Sequence, residues 1–188
     1  MTGKDRCQKA ATIIFPVSES GFDTYGVILY MTKEYRWVLQ GEEETRNFAE
    51  QFAALLQPGD FLALEGTLGA GKTTFTQGLA RGLGIKKVVN SPTFTLIKEY
   101  AGRLPLYHMD VYRVEDDVAS LGLDEYFFGE GVCVVEWASL IEPYLPDERL
   151  TITLARGEGE SRICLFEPLG ERYIEKCEGF DYNARTGD

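Results

Sequence analysis

The spacing of apolar side chains along the chain predicts strands and helices in alternation. Residues 35–39 alternate as a strand does, and residues 42–56 form an amphipathic helical pattern with three glutamates in the first turn. Residues 61–65 are a short apolar run of strand type, and residues 73–83 carry apolar side chains at helical spacing before Gly84. A strand, a turn and a helix in this order favour an α/β fold.

The second half of the chain predicts further strands, two of them antiparallel. Residues 94–100 and 104–110 are strand-like and flank a short Ala-Gly-Arg turn, which predicts a hairpin. Residues 131–135 form a continuous apolar run typical of a buried central strand. The remaining predictions are one or two short helices over 116–128 broken near Gly122, a short helix over 138–144, and strands over 149–154 and 162–166.

The N-terminal residues match this pattern poorly. Residues 1–30 mix one strand-like run with turn-like residues, whereas Met31 opens a more regular segment. One hypothesis is that translation starts at Met31 and that residues 1–30 are an upstream extension; the alternative is a loosely held N-terminal arm. The predicted organisation is therefore a domain over 31–177, followed by a polar tail over 178–188.

Composition narrows the class of protein. The 188 residues carry a net charge of −11, which disfavours direct binding to DNA or RNA because phosphate neutralisation needs Lys and Arg. No apolar run approaches the length of a membrane span, so no membrane contact is predicted. The four cysteines have no metal-ligand or redox spacing, which favours reduced thiols and a cytoplasmic protein.

Residues 66–73, GTLGAGKT, carry the most specific chemical signal. They match G-x-x-x-x-G-K-[ST], the P-loop, and they lie between the predicted strand over 61–65 and the predicted helix. Backbone N–H groups of such a loop cradle nucleotide phosphates, Lys72 reaches the β- and γ-phosphates, and the Thr73 hydroxyl binds Mg²⁺. The predicted nucleotide contacts in this segment are Gly69, Ala70, Gly71, Lys72, Thr73 and Thr74.

Hydrolysis also needs acidic side chains near the metal, and two candidates follow strands. Glu136 ends the apolar run over 132–135, as a Walker B acid does, and Asp110 ends the strand before it. Asp110 also suits a turn. His108 is the only histidine and is not predicted to be catalytic. Thr93 fits either a γ-phosphate sensor in a switch segment or a local ST-turn.

Four motifs taken together resemble the TsaE (YjeE) family of bacterial ATPases that act in tRNA threonylcarbamoyladenosine biosynthesis. They are GTLGAGKTT at 66–74, SPTF at 91–94, HMDVYR at 108–113 and EW at 136–137. The resemblance covers about residues 31–176. It implies a three-layer α/β domain of the P-loop NTPase type with a mixed parallel and antiparallel sheet.

The resemblance also implies function. The protein would bind ATP with Mg²⁺ and hydrolyse it slowly alone. Its partners would be TsaB and TsaD, which hold the tRNA and carry out the threonylcarbamoyl transfer, so that contact with tRNA is indirect.

Site residues are carried over by motif. The resemblance makes Lys72, Asp110 and Glu136 the catalytic residues and Thr73 and Glu136 the metal-associated ones. Thr45 and Arg162 match family positions near the nucleotide. The sequence departs from the family at Thr67, where many members have Asp, and in the extension before Met31.

Two other function classes stay open at this stage. A small-molecule P-loop kinase would need a lid with clustered arginines, whereas the arginines outside the P-loop are scattered. A nucleotide-dependent binding switch would show partner affinity that differs between ATP and ADP without turnover.

Overall fold

The computed structural model describes residues 5–17, 24–114 and 118–180, and the strands of this part form one eight-stranded sheet. The strands are β1 (Asp5–Val17), β2 (Thr24–Gln40), β3 (Phe61–Glu65), β4 (Ile97–Tyr100), β5 (Leu106–Asp110), β6 (Val132–Glu136), β7 (Arg149–Arg156) and β8 (Ser161–Leu169). The helices are α1 (Gly41–Ala53), α2 (Lys72–Gly82), α3 (Asp124–Phe127) and α4 (Glu171–Gly179), with 3₁₀ helices at Val118–Leu121 and Ala138–Tyr144.

The sheet mixes parallel and antiparallel strands, as predicted. Its order is β1-β2-β8-β7-β3-β6-β5-β4. The four strands β7, β3, β6 and β5 pair in parallel, while β4 pairs antiparallel with β5, and β8 pairs antiparallel with both β7 and β2. Parallel pairing places the carboxyl ends of β3, β5 and β6 at one edge, where ligands of α/β proteins bind.

Two apolar cores cover the two faces of the sheet, which confirms the three-layer α/β architecture. The larger core joins one face to α1, α2 and α4, and its fully buried members include Phe48, Phe75 and Tyr173. The smaller core joins the other face to α3 and the 3₁₀ helices through residues such as Phe127 and Ile141. Among the described residues, no helix is both long and apolar enough to cross a membrane.

The predicted hairpin is present, but its two strands are shorter than predicted. The strand predicted from residue 94 begins at Ile97, because the N–H groups of Thr95 and Leu96 both donate to the carbonyl of Pro92 and close a turn. The strand predicted from residue 104 begins at Leu106. Before it, the guanidinium of Arg103 donates to backbone carbonyls at the end of α1.

The structure adds detail at both predicted domain limits. β2 runs through the predicted boundary at 30 and 31, and Met31 pairs with Ala10 of β1. The helix α4, which the sequence analysis missed, continues to Gly179, and the Phe180 ring packs 5.1 Å from that of Phe48. Residues 1–4 and 18–23 of the predicted extension and 181–188 of the predicted tail lie outside the described residues. The limits at 30 and 177 stay predictions.

Candidate nucleotide-binding site

The loop between β3 and α2 can be built only with glycine at its first position. Gly66 has φ +133°, and a Cβ built on it would lie 2.2 Å from the Leu154 carbonyl oxygen of β7. Gly71, with φ +110°, precedes the first residue of α2, and no described side chain caps this helix. The first N–H groups of α2 are therefore directed to the loop, as phosphate binding at a helix N-terminus requires.

The loop forms one side of a cavity of about 340 Å³ at the carboxyl ends of β3, β5 and β6. The cavity brings together all the predicted site residues except Thr45. Its lining is Glu42, Leu68, Gly69, Ala70, Gly71, Lys72, Thr73, Thr74, Ser91, Thr93, Asp110, Glu136, Trp137 and Arg162.

Lys72 is a buried cation held by neutral groups. Its Nζ donates to the carbonyl oxygens of Gly66 at 2.6 Å and Thr67 at 3.4 Å, and it lies 3.8 Å from the centroid of the Trp137 ring. Burial lowers the pKa of Lys72, while the Glu136 carboxylate opposes that shift. The Lys72 ammonium therefore lies in the cavity and donates to two carbonyl oxygens. Phosphate oxygens can replace these carbonyl oxygens as its acceptors.

Glu136 ends β6 and is fixed by two hydrogen-bond partners. Its Oε1 accepts from the Thr73 hydroxyl at 3.0 Å and lies 2.9 Å from His108 Nε2. The first of these contacts joins the helix after the phosphate loop to the strand that carries the acid. It is the arrangement expected for a P-loop threonine and a Walker B acid.

Asp110 ends β5 and is held by a separate set of hydroxyl groups. Its Oδ2 accepts from Ser91 Oγ at 3.1 Å and from the Thr93 hydroxyl, and its Oδ1 accepts from the backbone N–H of Tyr112 at 3.1 Å. Thr93 therefore touches an acid of the cavity. Its backbone N–H also donates to Ser91 Oγ at 3.3 Å, so the local turn contact uses the Ser91 hydroxyl, and the two roles predicted for Thr93 both stay predictions.

The residues present fit a magnesium ion that is shared with a nucleotide. Among the described residues, no group of three His, Cys, Asp or Glu side chains is placed to hold a metal ion alone. The hydroxyl of Thr73 and the carboxylate of Glu136 nevertheless meet in the cavity beside the phosphate loop. Mg²⁺ prefers oxygen ligands and takes one or two from protein when substrate phosphates and water complete the octahedron.

The two predicted nucleotide contacts outside the main motifs differ in position. Arg162 lines the cavity, and its Nε lies 3.8 Å from a Cβ built on Gly71. Thr45 is fully buried in α1, and its hydroxyl donates to the Gly41 carbonyl at 2.8 Å. Of the residues of α1, the structure places Glu42 at the cavity and not Thr45. A nucleotide contact by Thr45 stays a prediction.

Two further residues of the site were underestimated from the sequence. His108 was set aside, although its position two residues before Asp110 on a strand puts both side chains on one face. Trp137 is assigned no role from the sequence, but it has φ +64° and the Lys72 ammonium lies over its ring. A left-handed conformation at a non-glycine residue is the kind of strain that clusters at functional sites.

Comparison with known proteins identifies relatives of the whole domain. The family model described as threonylcarbamoyl adenosine biosynthesis protein TsaE matches residues 39–164. The tRNA threonylcarbamoyladenosine biosynthesis protein TsaE of Bacillus subtilis is 58% identical over 147 residues, which cover 78% of this chain and 93% of that protein. The protein of the same name from Treponema pallidum is 45% identical over 121 residues, covering 63% of this chain and 90% of that protein.

A solved structure gives the same result. The crystal structure of Bacillus subtilis YdiB is 54% identical in sequence and superimposes with a TM-score of 0.72 over 79% of this chain and 95% of that one. The fold, the match of the family model and the identity to curated relatives agree. The chain therefore belongs to the TsaE family of threonylcarbamoyl adenosine biosynthesis proteins.

Proposed function

We propose that this protein is a Mg²⁺-dependent ATPase required for N6-threonylcarbamoyladenosine modification of tRNA, acting with the TsaB–TsaD threonylcarbamoyl transferase complex. One observation carries the chemical part of the proposal. The phosphate loop, the Lys72 ammonium and the Thr73–Glu136 pair face one cavity. The names of its relatives support the biological part.

The phosphate loop and Lys72 bind the nucleotide. The N–H groups at the start of α2 donate to phosphate oxygens, and Lys72 exchanges its carbonyl acceptors in the loop for the β- and γ-phosphates. Arg162 lines the same cavity close to Gly71 and adds a second positive charge to it. These contacts provide binding and charge neutralisation, which supply most of the catalysis in phosphoryl transfer.

The two acids act on the metal and on water. Mg²⁺, when bound, neutralises the charge that develops on the phosphate oxygens. Thr73 and Glu136, which are hydrogen-bonded to each other at 3.0 Å, would hold that metal. Asp110, kept in place by Ser91 and Thr93, lies on the neighbouring parallel strand in register with Glu136, where it would hold water near the metal.

The acidic composition supports an indirect role with tRNA. A net charge of −11 disfavours contact with a phosphate backbone, so TsaB and TsaD carry the RNA and this chain supplies nucleotide turnover. We place the protein in the cytoplasm with these partners. In the described part of the chain, the buried thiols of Cys133 and Cys164 form no disulfide, which agrees with a reducing compartment.

The test is release of inorganic phosphate from ATP by the purified chain, in Mg²⁺ and in EDTA. We expect slow release in Mg²⁺ and none in EDTA. Release that is equal in both conditions, or absent in both, would contradict the ATPase proposal. Rapid consumption of ATP only when a small-molecule acceptor is added would identify a kinase in its place.

A further inference from the structure

His108 lies next to the candidate site without lining the cavity. It is fully buried on β5, between Tyr107 and Met109, which belong to the smaller core on the other face of the sheet. Its parallel neighbour on β6 is Val134, so Glu136 stands two residues further along that strand on the same face. The ring reaches along the sheet, and its Nε2 lies 2.9 Å from Glu136 Oε1.

The other ring nitrogen fixes the tautomer. Nδ1 is buried and has no hydrogen-bond partner among the described residues. A neutral imidazole carries its single proton on one nitrogen, and that proton is stabilised where an acceptor is present. The acceptor is the Glu136 carboxylate, so Nε2–H donates to Oε1.

A role in packing alone does not explain a histidine here. A buried nitrogen without a partner is unfavourable, and an aliphatic side chain of similar size would fill the same space without that cost. The polar ring is therefore accounted for by its single polar contact, which is the contact with Glu136.

Two donors from different elements meet on the same carboxylate oxygen. Thr73 donates from α2 and His108 from β5, both to Oε1 of Glu136. Together they fix the plane of the carboxylate. The Thr73 hydroxyl has one proton, and while that proton is directed to Oε1, the oxygen lone pairs are left for a cation.

We propose that His108 is a positioning residue: by donating Nε2–H to Glu136 Oε1, it holds the carboxylate and, through it, the Thr73 hydroxyl in the orientation that binds Mg²⁺. This inference rests on the proposed function, in that it assigns Mg²⁺ to Thr73 and Glu136. Groups that orient metal ligands in this way typically change metal affinity or activity about 10- to 100-fold when they are removed.

The experiment compares His108→Leu with His108→Gln. Leucine fills the space and removes the donor, whereas the glutamine amide N–H can restore it. Met109→Leu is the matched control, since Met109 is equally buried on the same strand but faces the smaller core. Binding of ADP is measured by calorimetry in EDTA and across a Mg²⁺ titration, and thermal unfolding shows that each variant folds.

We expect His108→Leu to bind ADP in EDTA with the affinity of the wild type. We expect it to need about tenfold more Mg²⁺ than the wild type to reach the higher ADP affinity that Mg²⁺ produces. His108→Gln should recover most of that loss, and Met109→Leu should behave as the wild type. A wild-type Mg²⁺ dependence in His108→Leu would overturn the inference, as would an equal loss of binding in EDTA. Because the readout is binding, an absence of ATP hydrolysis in the wild type would overturn the proposed function without deciding the role of His108.

Discussion

The two ends of the central strand β3 both bury acids and cations, but they pair them differently. At the amino end, the fully buried carboxylate of Asp60 forms ion pairs with Arg172 at 2.7 Å and with Lys176 at 3.5 Å, both from α4. It also accepts from the backbone N–H of Gln57 at 2.6 Å. The charge at this end is compensated within the protein.

At the carboxyl end, the acids are held by hydrogen bonds and not, among the described residues, by lysine or arginine side chains. Hydroxyl groups and an imidazole contact Glu136 and Asp110, and the described residues place no Lys or Arg in an ion pair with either of them. Lys72 lies on carbonyl oxygens and an aromatic ring. These groups orient the charges without neutralising them.

The difference separates a structural cluster from a ligand site. Buried side chains stay charged when an opposite charge lies next to them. When both charges belong to the protein, neither is available to pair with a ligand. Charged groups that are held by hydrogen bonds and not by opposite charges of the protein can still pair with Mg²⁺ or phosphate when these bind. Substitutions at the carboxyl end should therefore change turnover and ligand binding, whereas substitutions at the amino end should change stability.

Glu136→Gln should reduce ATP turnover by about 100-fold or more, because the charge near the metal is lost while the shape is kept. Much of the nucleotide binding should remain, since the phosphate loop is unchanged. Phosphate release and calorimetry measure the two quantities. Turnover equal to that of the wild type would remove Glu136 from the catalytic residues.

Asp60→Asn is the matching change at the other end of β3. It leaves the cations of α4 without their buried partner and should lower the free energy of unfolding by about 3 kcal/mol. Denaturant unfolding measures this, and ATP affinity should stay unchanged in the folded protein. A loss of ATP affinity without a loss of stability would reverse the distinction between the two ends.

Lys72→Ala should weaken ATP binding by about 10- to 100-fold, the range for hydrogen bonds to charged groups. It should alter stability little, because Lys72 forms no ion pair with the described residues. Calorimetry with ATP checks the first expectation and thermal unfolding the second. Unchanged affinity would show that Lys72 does not hold the phosphates.

Asp110→Asn should lower turnover about tenfold and raise the Mg²⁺ concentration needed for half-maximal rate. The amide keeps the acceptor oxygen for Ser91 or Thr93, so folding should be retained. The measurement is the ATPase rate as a function of Mg²⁺. A wild-type Mg²⁺ dependence would argue against a metal-associated role for Asp110.

Tyr173→Phe is a smaller change than Asp60→Asn at the amino end of β3. The backbone N–H of Phe61 donates to the Tyr173 hydroxyl at 2.7 Å, so the variant should lose about 1 kcal/mol at neutral pH. Burial raises the pKa of Tyr173 from 10.0 to about 12, so the folded state favours the neutral phenol. The stability gained in this way is present below pH 10 and is lost as the pH rises towards 12. The free energy of unfolding should therefore fall less between pH 9 and pH 11 in Tyr173→Phe than in the wild type. An equal fall in both proteins would contradict this role of the Tyr173 phenol.

The sequence predicted the carboxyl end well because its chemistry is local. The P-loop spacing places Lys72 and Thr73, and two apolar strands ending in acids place Asp110 and Glu136 at one edge. Parallel pairing of β5 and β6 then follows from the general geometry of α/β sheets. These are short-range patterns with a fixed structural consequence.

The remaining features depend on contacts between distant residues. The pairing of Asp60 with Arg172 and Lys176 joins positions more than 100 residues apart, and α4 was missed because its pattern is only nine residues long. The His108–Glu136 contact likewise depends on the register of two strands. Such contacts have no local signature in one sequence.

The most direct test of the account is ATP turnover in Mg²⁺ by the purified chain, with and without the TsaB–TsaD heterodimer. We expect slow turnover alone and a sharp rise when the partners are added. No stimulation, together with no co-elution of the partners in the presence of ATP, would contradict the proposed role in tRNA modification.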